Sequence, residues 1–201
     1  MKAVFLDRDG VINELIYHRE AGVIDSPFTV EQFKLRPRVG EAIKLLNQAG
    51  YKVIVVSNQP GVARNHFTLD TLKQMDIKMD GELRAQGAFL DRVYYCPHHP
   101  DGDNGDYRMA CSCRKPQPGL LLQAAQELNL TLSHCYMVGD NLTDVKAGEN
   151  AGCKTVLIGK MKCELCRMMD EEGVKPDAIV ADLFEATKTI LKQEGKDGDL
   201  H

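Results

Sequence analysis

The sequence lacks the features that mark nucleic-acid-binding, membrane-spanning and secreted proteins. It has no run of lysines and arginines, and its formal net charge is −4, so it offers no electrostatic footprint for nucleic acid. No apolar run approaches the roughly 20 residues that cross a bilayer. The first residues carry no long apolar region or cleavage site of a signal peptide. We therefore expect a cytoplasmic protein with no membrane or nucleic-acid partner.

Cysteine, in contrast, is plentiful. Seven cysteines in a reducing compartment point to metal or redox chemistry rather than to a disulfide framework. Cys135 and Cys153 lie in apolar runs and are predicted to be core residues. The length of 201 residues and a hydrophobic content of 43% predict one domain over residues 1–192. The charged segment 193–201 is predicted to be a disordered tail.

The hydrophobic pattern predicts an α/β fold. Apolar stripes at helical spacing cover residues 39–46, 69–83 and 121–128. They alternate with short apolar runs that are typical of buried strands, at residues 3–6, 51–56, 93–95, 135–138, 155–158 and 178–180. This alternation indicates a doubly wound, mainly parallel, Rossmann-like sheet with helices on both faces.

Polar residues follow the predicted strands where each strand ends. Asp7-Arg8-Asp9-Gly10 follows the first strand, and Ser57 follows the second. Asp140 follows the strand at 135–138, and Lys115 precedes the third helical stripe. Each piece alone is also consistent with a turn or a surface residue. Because the carboxyl ends of parallel strands open into one crevice, we expect these side chains to meet there.

The residue types in this predicted crevice suit phosphoryl transfer. Asp7 is the candidate nucleophile, which would form an aspartyl-phosphate. Asp9 is the candidate acid that protonates the leaving oxygen and the base that then activates water. Ser57 and Lys115 are candidates for gripping the phosphoryl oxygens, on which charge spreads in the transition state.

Carboxylates at the same edge also predict a Mg²⁺ site. The expected ligands are Asp7, Asp140 and a backbone carbonyl at Asp9, because Mg²⁺ prefers hard oxygen donors. Asp144 is expected to hold a metal-bound water or to lie behind the ligands. The alternative for Asp140 and Asp144 is a turn followed by a helix start, where acidic residues are favoured.

A second metal site is predicted in the polar loop 96–113. Cys96, His98, Cys111 and Cys113 offer three thiolates and one imidazole, the ligand set of a closed tetrahedral Zn²⁺ site. Such a loop has no core of its own, so the metal would supply its ordering energy. His99 competes with His98 for the imidazole position. Free thiols or a labile disulfide are the alternatives to zinc.

Four ordered segments resemble the motifs of a known superfamily. "VFLDRDG", "VIVVSNQ", "CRKPQPG" and "MVGDNLTD" are similar to motifs one to four of the haloacid dehalogenase superfamily of phosphohydrolases. The resemblance covers roughly residues 2 to 190. It implies that Asp7 is the nucleophile, Asp9 the acid and base, Ser57 and Lys115 the phosphate clamp, and Asp140 a Mg²⁺ ligand.

The zinc loop and "SNQPGVAR" narrow this resemblance to the superfamily's heptose 1,7-bisphosphate 7-phosphatases, with histidinol-phosphate phosphatases as near relatives. It implies a capless enzyme that removes the 7-phosphate of D-glycero-D-manno-heptose 1,7-bisphosphate. We expect this enzyme to be a monomer. Asn58, Gln59 and Arg114 would contact the sugar or its other phosphate. The alternatives are hydrolysis of histidinol phosphate or another small ester, and a zinc-stabilised binding module without turnover.

Two features depart from those relatives. Asn141 stands where related phosphatases often have a lysine facing the substrate. The sequence therefore does not predict which anomer is preferred, or whether the pathway leads to ADP-heptose or GDP-heptose. Residues 160–173 are longer than the usual loop and contain Cys163 and Cys166. We interpret them as a solvated segment with incidental thiols, and a redox switch is the alternative.

Overall fold

The computed structural model describes the backbone of residues 1–159, 163–193 and 195, and their side chains except those of residues 163–167. The thiols of Cys163 and Cys166 therefore lie outside the described part. So does the predicted tail 193–201, apart from positions 193 and 195. That residues 1–192 form one phosphohydrolase domain stays a prediction.

The described chain contains eight strands and six α-helices. The strands are β1 (Ala3–Leu6), β2 (Ile16–His18), β3 (Val23–Asp25), β4 (Lys52–Asn58), β5 (Arg92–Cys96), β6 (Tyr136–Gly139), β7 (Lys154–Ile158) and β8 (Ala178–Val180). The helices are α1 (Val39–Gln48), α2 (Leu69–Ala85), α3 (Gly119–Leu128), α4 (Leu142–Ala151), α5 (Cys163–Glu172) and α6 (Leu183–Gln193), and a 3-10 turn spans Leu132–His134.

The predicted parallel sheet is confirmed. Six strands pair in the order β5-β4-β1-β6-β7-β8, and every pairing is parallel. The chain builds outward from β1 to β4 and β5, then returns to the other side of β1 for β6, β7 and β8. The crevice beside β1 is thus the point where strand order reverses, which is where ligands bind in open α/β sheets.

The central strand explains why two layers of helices form. β1 alternates its side chains, so Val4 and Leu6 pack with α1, α2 and α6 on one face. Ala3 and Phe5 pack with α3 and α4 on the other face. All four residues are fully buried, because β1 is covered on both faces and paired on both edges.

A small antiparallel hairpin, β2–β3, lies outside the main sheet. The sequence analysis does not predict it, because each strand has only three residues and Tyr17 and Ile24 are exposed. Among the described residues, this hairpin and loops border the carboxyl edge of the sheet, without a separate cap domain. No helix in the described part of the chain is long and apolar enough to cross a bilayer.

Candidate active site

Asp7 leaves β1 directly beside β6. Its backbone N–H donates to the carbonyl of Val138 at 2.9 Å, and its Oδ1 accepts the N–H of Arg8 at 2.8 Å. Gly10 follows with φ +79°, and a Cβ there would overlap the carboxylate of Asp140. Glycine is therefore required both by the left-handed backbone and by the close approach of Asp140.

Three carboxylates converge at this edge. Oxygens of Asp7, Asp140 and Asp144 lie within 4.8 Å of one another. The ammonium of Lys115 lies 3.0 Å from Asp7 Oδ1 and 2.5 Å from Asp144 Oδ1, and it donates to the carbonyl of Val56 at 2.9 Å. The structure thus brings residues from two strand ends, the first turn of α4 and one loop to a common point.

The electrostatics of this group favour a bound cation. Burial, with the nearby Asp7 and Asp144, raises the pKa of Asp140 to about 7. Burial alone would lower the pKa of Lys115, but Asp144 and Asp7 raise it above its usual value. One ammonium faces three carboxylates, so negative charge remains uncompensated. Hard oxygen donors with excess negative charge fit a divalent cation such as Mg²⁺.

Asp144 is held in place by the start of α4. Its Oδ2 accepts the N–H of Asn141 at 3.0 Å, and Asn141 Oδ1 accepts the N–H of Thr143 at 3.2 Å. This reciprocal pair is a capping box, which satisfies free backbone donors of the helix. The amide of Asn141 is therefore engaged in capping α4, while the residue also lines the cavity.

The end of β4 contributes Ser57, Asn58 and Gln59. Asn58 clamps the backbone of Lys115: its Oδ1 accepts the N–H at 3.0 Å and its Nδ2 donates to the carbonyl at 3.1 Å. Gln59 does not line the cavity, although the sequence predicts a sugar contact for it. Its buried amide instead donates to Asp9 Oδ2 at 2.6 Å and to Ser57 Oγ at 3.2 Å.

These side chains line a cavity of about 330 Å³. The hairpin and the residue before it add lining residues that the sequence analysis does not identify, including Ile24 in β3 and Leu15 just before β2, both exposed apolar side chains. A larger cavity of about 860 Å³ lies beside α2 and is lined by Phe28, His66 and Tyr107. It contains none of the strand-end carboxylates, so the smaller cavity is the candidate active site. The residues that line it are Asp7, Asp9, Leu15, Ile24, Asp25, Ser26, Ser57, Asn58, Pro60, Arg114, Lys115, Asp140, Asn141, Thr143 and Asp144.

The predicted zinc ligands form a second cluster. Ligand atoms of Cys96, His98, Cys111 and Cys113 all lie within 4.8 Å of one another, and the three thiols are free. The three sulfur–sulfur distances are 3.1, 3.2 and 3.4 Å, and His98 Nδ1 lies 3.4 Å from Cys113 Sγ. His99 points elsewhere, with Nε2 at 3.2 Å from Arg64. Three thiols and one imidazole at these separations fit a tetrahedral Zn²⁺ ion.

The cysteine cluster adjoins the cavity through Arg114. This residue follows Cys113 and precedes Lys115, and its Nη1 donates to the carbonyl of His98 at 3.2 Å. The guanidinium is thus fixed by the backbone of the cluster while it lines the cavity. A planar fork in this place suits an anionic or hydroxyl-bearing part of a ligand.

Replacing Lys115 with methionine is expected to destabilise the metal-free protein by about 3–5 kcal/mol, because Asp7 and Asp144 then lose the buried ammonium that pairs with both. Denaturant unfolding in EDTA measures the change. Lys146→Met is the matched control, because the exposed pair of Lys146 with Glu172 contributes at most about 1 kcal/mol. Equal losses in the two variants would contradict this account of the site.

Comparisons with known proteins agree on one kind of enzyme. A HAD-hydrolase-like family model matches residues 112–186. The D-glycero-beta-D-manno-heptose-1,7-bisphosphate 7-phosphatase of Pasteurella multocida is 43% identical over 95% of this chain and 97% of its own length. The enzyme of that name from Escherichia coli K12 is 40% identical over 96% of this chain and 95% of its own length.

A solved structure gives the same result. The D,D-heptose 1,7-bisphosphate phosphatase of B. bronchiseptica, complexed with magnesium and phosphate, superposes with a TM-score of 0.78. It is 30% identical, and the match covers 96% of this chain and 99% of that one.

Proposed function

This chain belongs to the haloacid dehalogenase-like family of D-glycero-beta-D-manno-heptose-1,7-bisphosphate 7-phosphatases, and on that premise we propose that it hydrolyses the 7-phosphate of such a heptose bisphosphate. The observation that carries the proposal is the convergence of Asp7, Asp140, Asp144 and Lys115 at the reversal point of the sheet. This arrangement supports a phosphoric monoester hydrolase.

The first step transfers the phosphoryl group to the protein. A carboxylate oxygen of Asp7 forms a bond to phosphorus while the bond from phosphorus to the sugar oxygen breaks. Asp9 gives its proton to that leaving oxygen, which departs as an alcohol. Lys115 and Ser57 bind the phosphoryl oxygens, where charge spreads during the transfer.

The second step releases phosphate. Asp9, now a carboxylate, takes a proton from a water molecule as that water attacks the phosphorus of the aspartyl-phosphate. The bond between phosphorus and Asp7 breaks, and Asp7 returns as a carboxylate. The same two residues thus serve both halves of the reaction: Asp7 gains and then loses the phosphoryl group, and Asp9 gives and then takes a proton.

The metals have separate roles in this proposal. Asp7, Asp140 and the carbonyl of Asp9 would hold Mg²⁺, with Asp144 behind them, as the fit of the donor set supports. Bound there, Mg²⁺ screens the negative charge of the phosphate from that of the attacking carboxylate. Zn²⁺ would be structural, held by Cys96, His98, Cys111 and Cys113, because four protein ligands leave no open position for a water nucleophile.

The sugar end of the substrate would meet Arg114 and Asn58. Both line the cavity next to Lys115, so they lie where the rest of a phosphorylated sugar would extend. We also infer a cytoplasmic monomer: the free thiols of the zinc cluster suit a reducing compartment, and one chain supplies every site residue.

Phosphate release from a substrate panel with Mg²⁺ tests this function. The panel contains both anomers of D-glycero-D-manno-heptose 1,7-bisphosphate, histidinol phosphate and a nucleoside monophosphate. We expect kcat/KM to be roughly 10²-fold or more higher for the heptose bisphosphate, because its hydroxyl and phosphate groups pair with polar groups of the site. Faster hydrolysis of histidinol phosphate would contradict the assignment.

A further inference from the structure

The carboxylate of Asp9 is surrounded by donors from three side chains. Arg8 approaches Oδ1 with Nε at 3.3 Å and Nη2 at 3.0 Å, and approaches Oδ2 with Nη2 at 3.2 Å. Asn13 Nδ2 donates to Oδ1 at 2.9 Å, and Gln59 Nε2 donates to Oδ2 at 2.6 Å. We call Arg8, Asn13 and Gln59 the Asp9 cage.

All three side chains of the Asp9 cage are buried. Arg8 and Asn13 are 0% exposed, and Gln59 is 1% exposed. Burying a guanidinium is costly, and replacing a buried ion pair with apolar side chains is often neutral or stabilising. Stability alone is therefore a weak reason for an arginine in this place.

The side chains of the Asp9 cage also form hydrogen bonds to one another or to the backbone, so the donors around Asp9 are themselves held in place. Gln59 Oε1 accepts a hydrogen bond from Arg8 Nη2 at 3.0 Å, and Asn13 Nδ2 also donates to the carbonyl of Glu14 at 3.0 Å. The guanidinium carbon of Arg8 lies 5.5 Å from the ring centre of Tyr95. Tyr95 in turn donates to Asp76 Oδ1 at 2.5 Å.

Asp9 still reaches the cavity. Its side chain is 13% exposed and lines the site, whereas the Asp9 cage contacts it from the protein interior. A free aspartate side chain would sample several rotamers beside Asp7 and its neighbouring carboxylates. A charge-assisted, two-point contact with a guanidinium selects one orientation.

We propose that Arg8 is a positioning residue, which, with Gln59 and Asn13, fixes the orientation from which Asp9 transfers its proton to the leaving oxygen. This inference rests on the proposed function, because it assigns a purpose to Arg8 through Asp9. A shift of about 1 Å in a catalytic group can lower the rate about 10²-fold. The contribution of Arg8 therefore depends on how much the reaction needs the proton of Asp9.

Two kinds of substrate separate this role from a merely structural one. A sugar phosphate releases an alkoxide, which needs a proton, whereas p-nitrophenyl phosphate releases a stable phenolate, which does not. Arg8→Lys keeps the positive charge but loses the planar guanidinium that contacts Asp9 at two points. We expect it to lower the first-step rate on the heptose bisphosphate about 10- to 100-fold, and the nitrophenolate burst rate less than about 3-fold.

The experiment measures single-turnover rates on both substrates for the wild type, Arg8→Lys, Gln59→Met and the control Arg84→Lys. Arg84 is exposed and pairs with Asp80 on the surface of α2, so both of its rates should stay unchanged. Thermal unfolding shows which variants are folded. If Arg8→Lys does not fold, the two rates are compared for Gln59→Met instead. In an Asp9→Asn background, adding Arg8→Lys should change the heptose bisphosphate rate less than about 3-fold, because Arg8 acts through Asp9.

The inference would be overturned if Arg8→Lys lowered the rates on the two substrates by the same factor. It would also be overturned if Arg8→Lys lowered the heptose bisphosphate rate as much in the Asp9→Asn background as in the wild type. Neither result would affect the proposed function, which is tested separately by phosphate release from the wild-type protein on the substrate panel with Mg²⁺.

Discussion

Asp7→Asn is expected to lower phosphate release by about 10⁴-fold or more, because the amide that replaces the carboxylate does not attack phosphorus. The protein should remain folded. Burial and, after it, the neighbouring Asp7 raise the pKa of Asp140, so removing the charge of Asp7 relieves a repulsion as well as losing the ion pair with Lys115. Steady-state phosphate release and thermal unfolding, measured with saturating Mg²⁺, test both expectations.

Asp80→Asn is the matched control for this substitution. Asp80 lies on α2, is about half exposed and pairs only with the exposed Arg84 among the ion pairs of the described chain. Its loss should leave turnover within about 2-fold of the wild type, since exposed pairs contribute at most about 1 kcal/mol. Equal turnover in Asp7→Asn and the wild type would rule out the nucleophilic role of Asp7.

Cys113→Ser is expected to remove zinc and to destabilise the protein by at least about 3 kcal/mol, because closed structural zinc sites contribute about 10–16 kcal/mol to the folding of isolated zinc fingers. For a chain of this size, that loss lowers the melting temperature by about 6–12 °C. Turnover should fall as well, because Arg114 and Lys115 follow Cys113 directly and Arg114 is bonded to the backbone of His98. Metal analysis and thermal unfolding, with and without a chelator, measure these effects.

Cys153→Ala separates the zinc cluster from the other thiols. Cys153 is buried beside Cys135, in the core on the α3 and α4 face. This variant should keep about one zinc ion per chain, whatever its cost in packing. If Cys113→Ser also keeps its zinc and its melting temperature, the cluster is not a structural zinc site.

The sequence predicts the six strands of the sheet because all of them are parallel and most are covered on both faces. Such strands read as continuous apolar runs, as in β1 (AVFL) and β6 (YMVG). The predicted ranges differ from the observed ones by at most two residues at either end. The helical stripes at 39–46, 69–83 and 121–128 are confirmed in the same way, as α1, α2 and α3.

The sequence analysis does not predict some helices and strands that lack a long pattern of apolar residues. α4 has only two buried residues with large apolar side chains, Leu142 and Val145, and the rest of its buried face is mostly small. Its start depends on the capping box of Asn141 and Asp144. α5 occupies most of residues 160–173, where the sequence analysis expects a solvated segment and identifies no helix. The hairpin β2–β3 is two short, exposed strands, whose pairing depends on tertiary contacts.

The order of the strands along the sheet is enough to predict which residues meet in the candidate site. It is not enough to predict the direction in which each side chain points. Strand order brings Asp7 and Asp140 together, because β1 and β6 are neighbours. The direction of Gln59 depends on Arg8 and Asp9, which lie some 50 positions earlier in the chain. An arginine between two strand-end aspartates is the one local signal that a buried charge pair is present there.

The central claim is that Asp7 carries the phosphoryl group, and acid quenching tests it most directly. Substrate labelled with ³²P at the 7-phosphate is mixed with the wild type and with Asp9→Asn, quenched within one turnover, and the labelled residue is identified by peptide mapping. The account predicts label on Asp7 in the wild type, and both a slower rise and a slower loss of that label in Asp9→Asn, because Asp9 supplies the proton of the first step and the water-activating base of the second. Turnover of the substrate without label on Asp7 in either protein would contradict it.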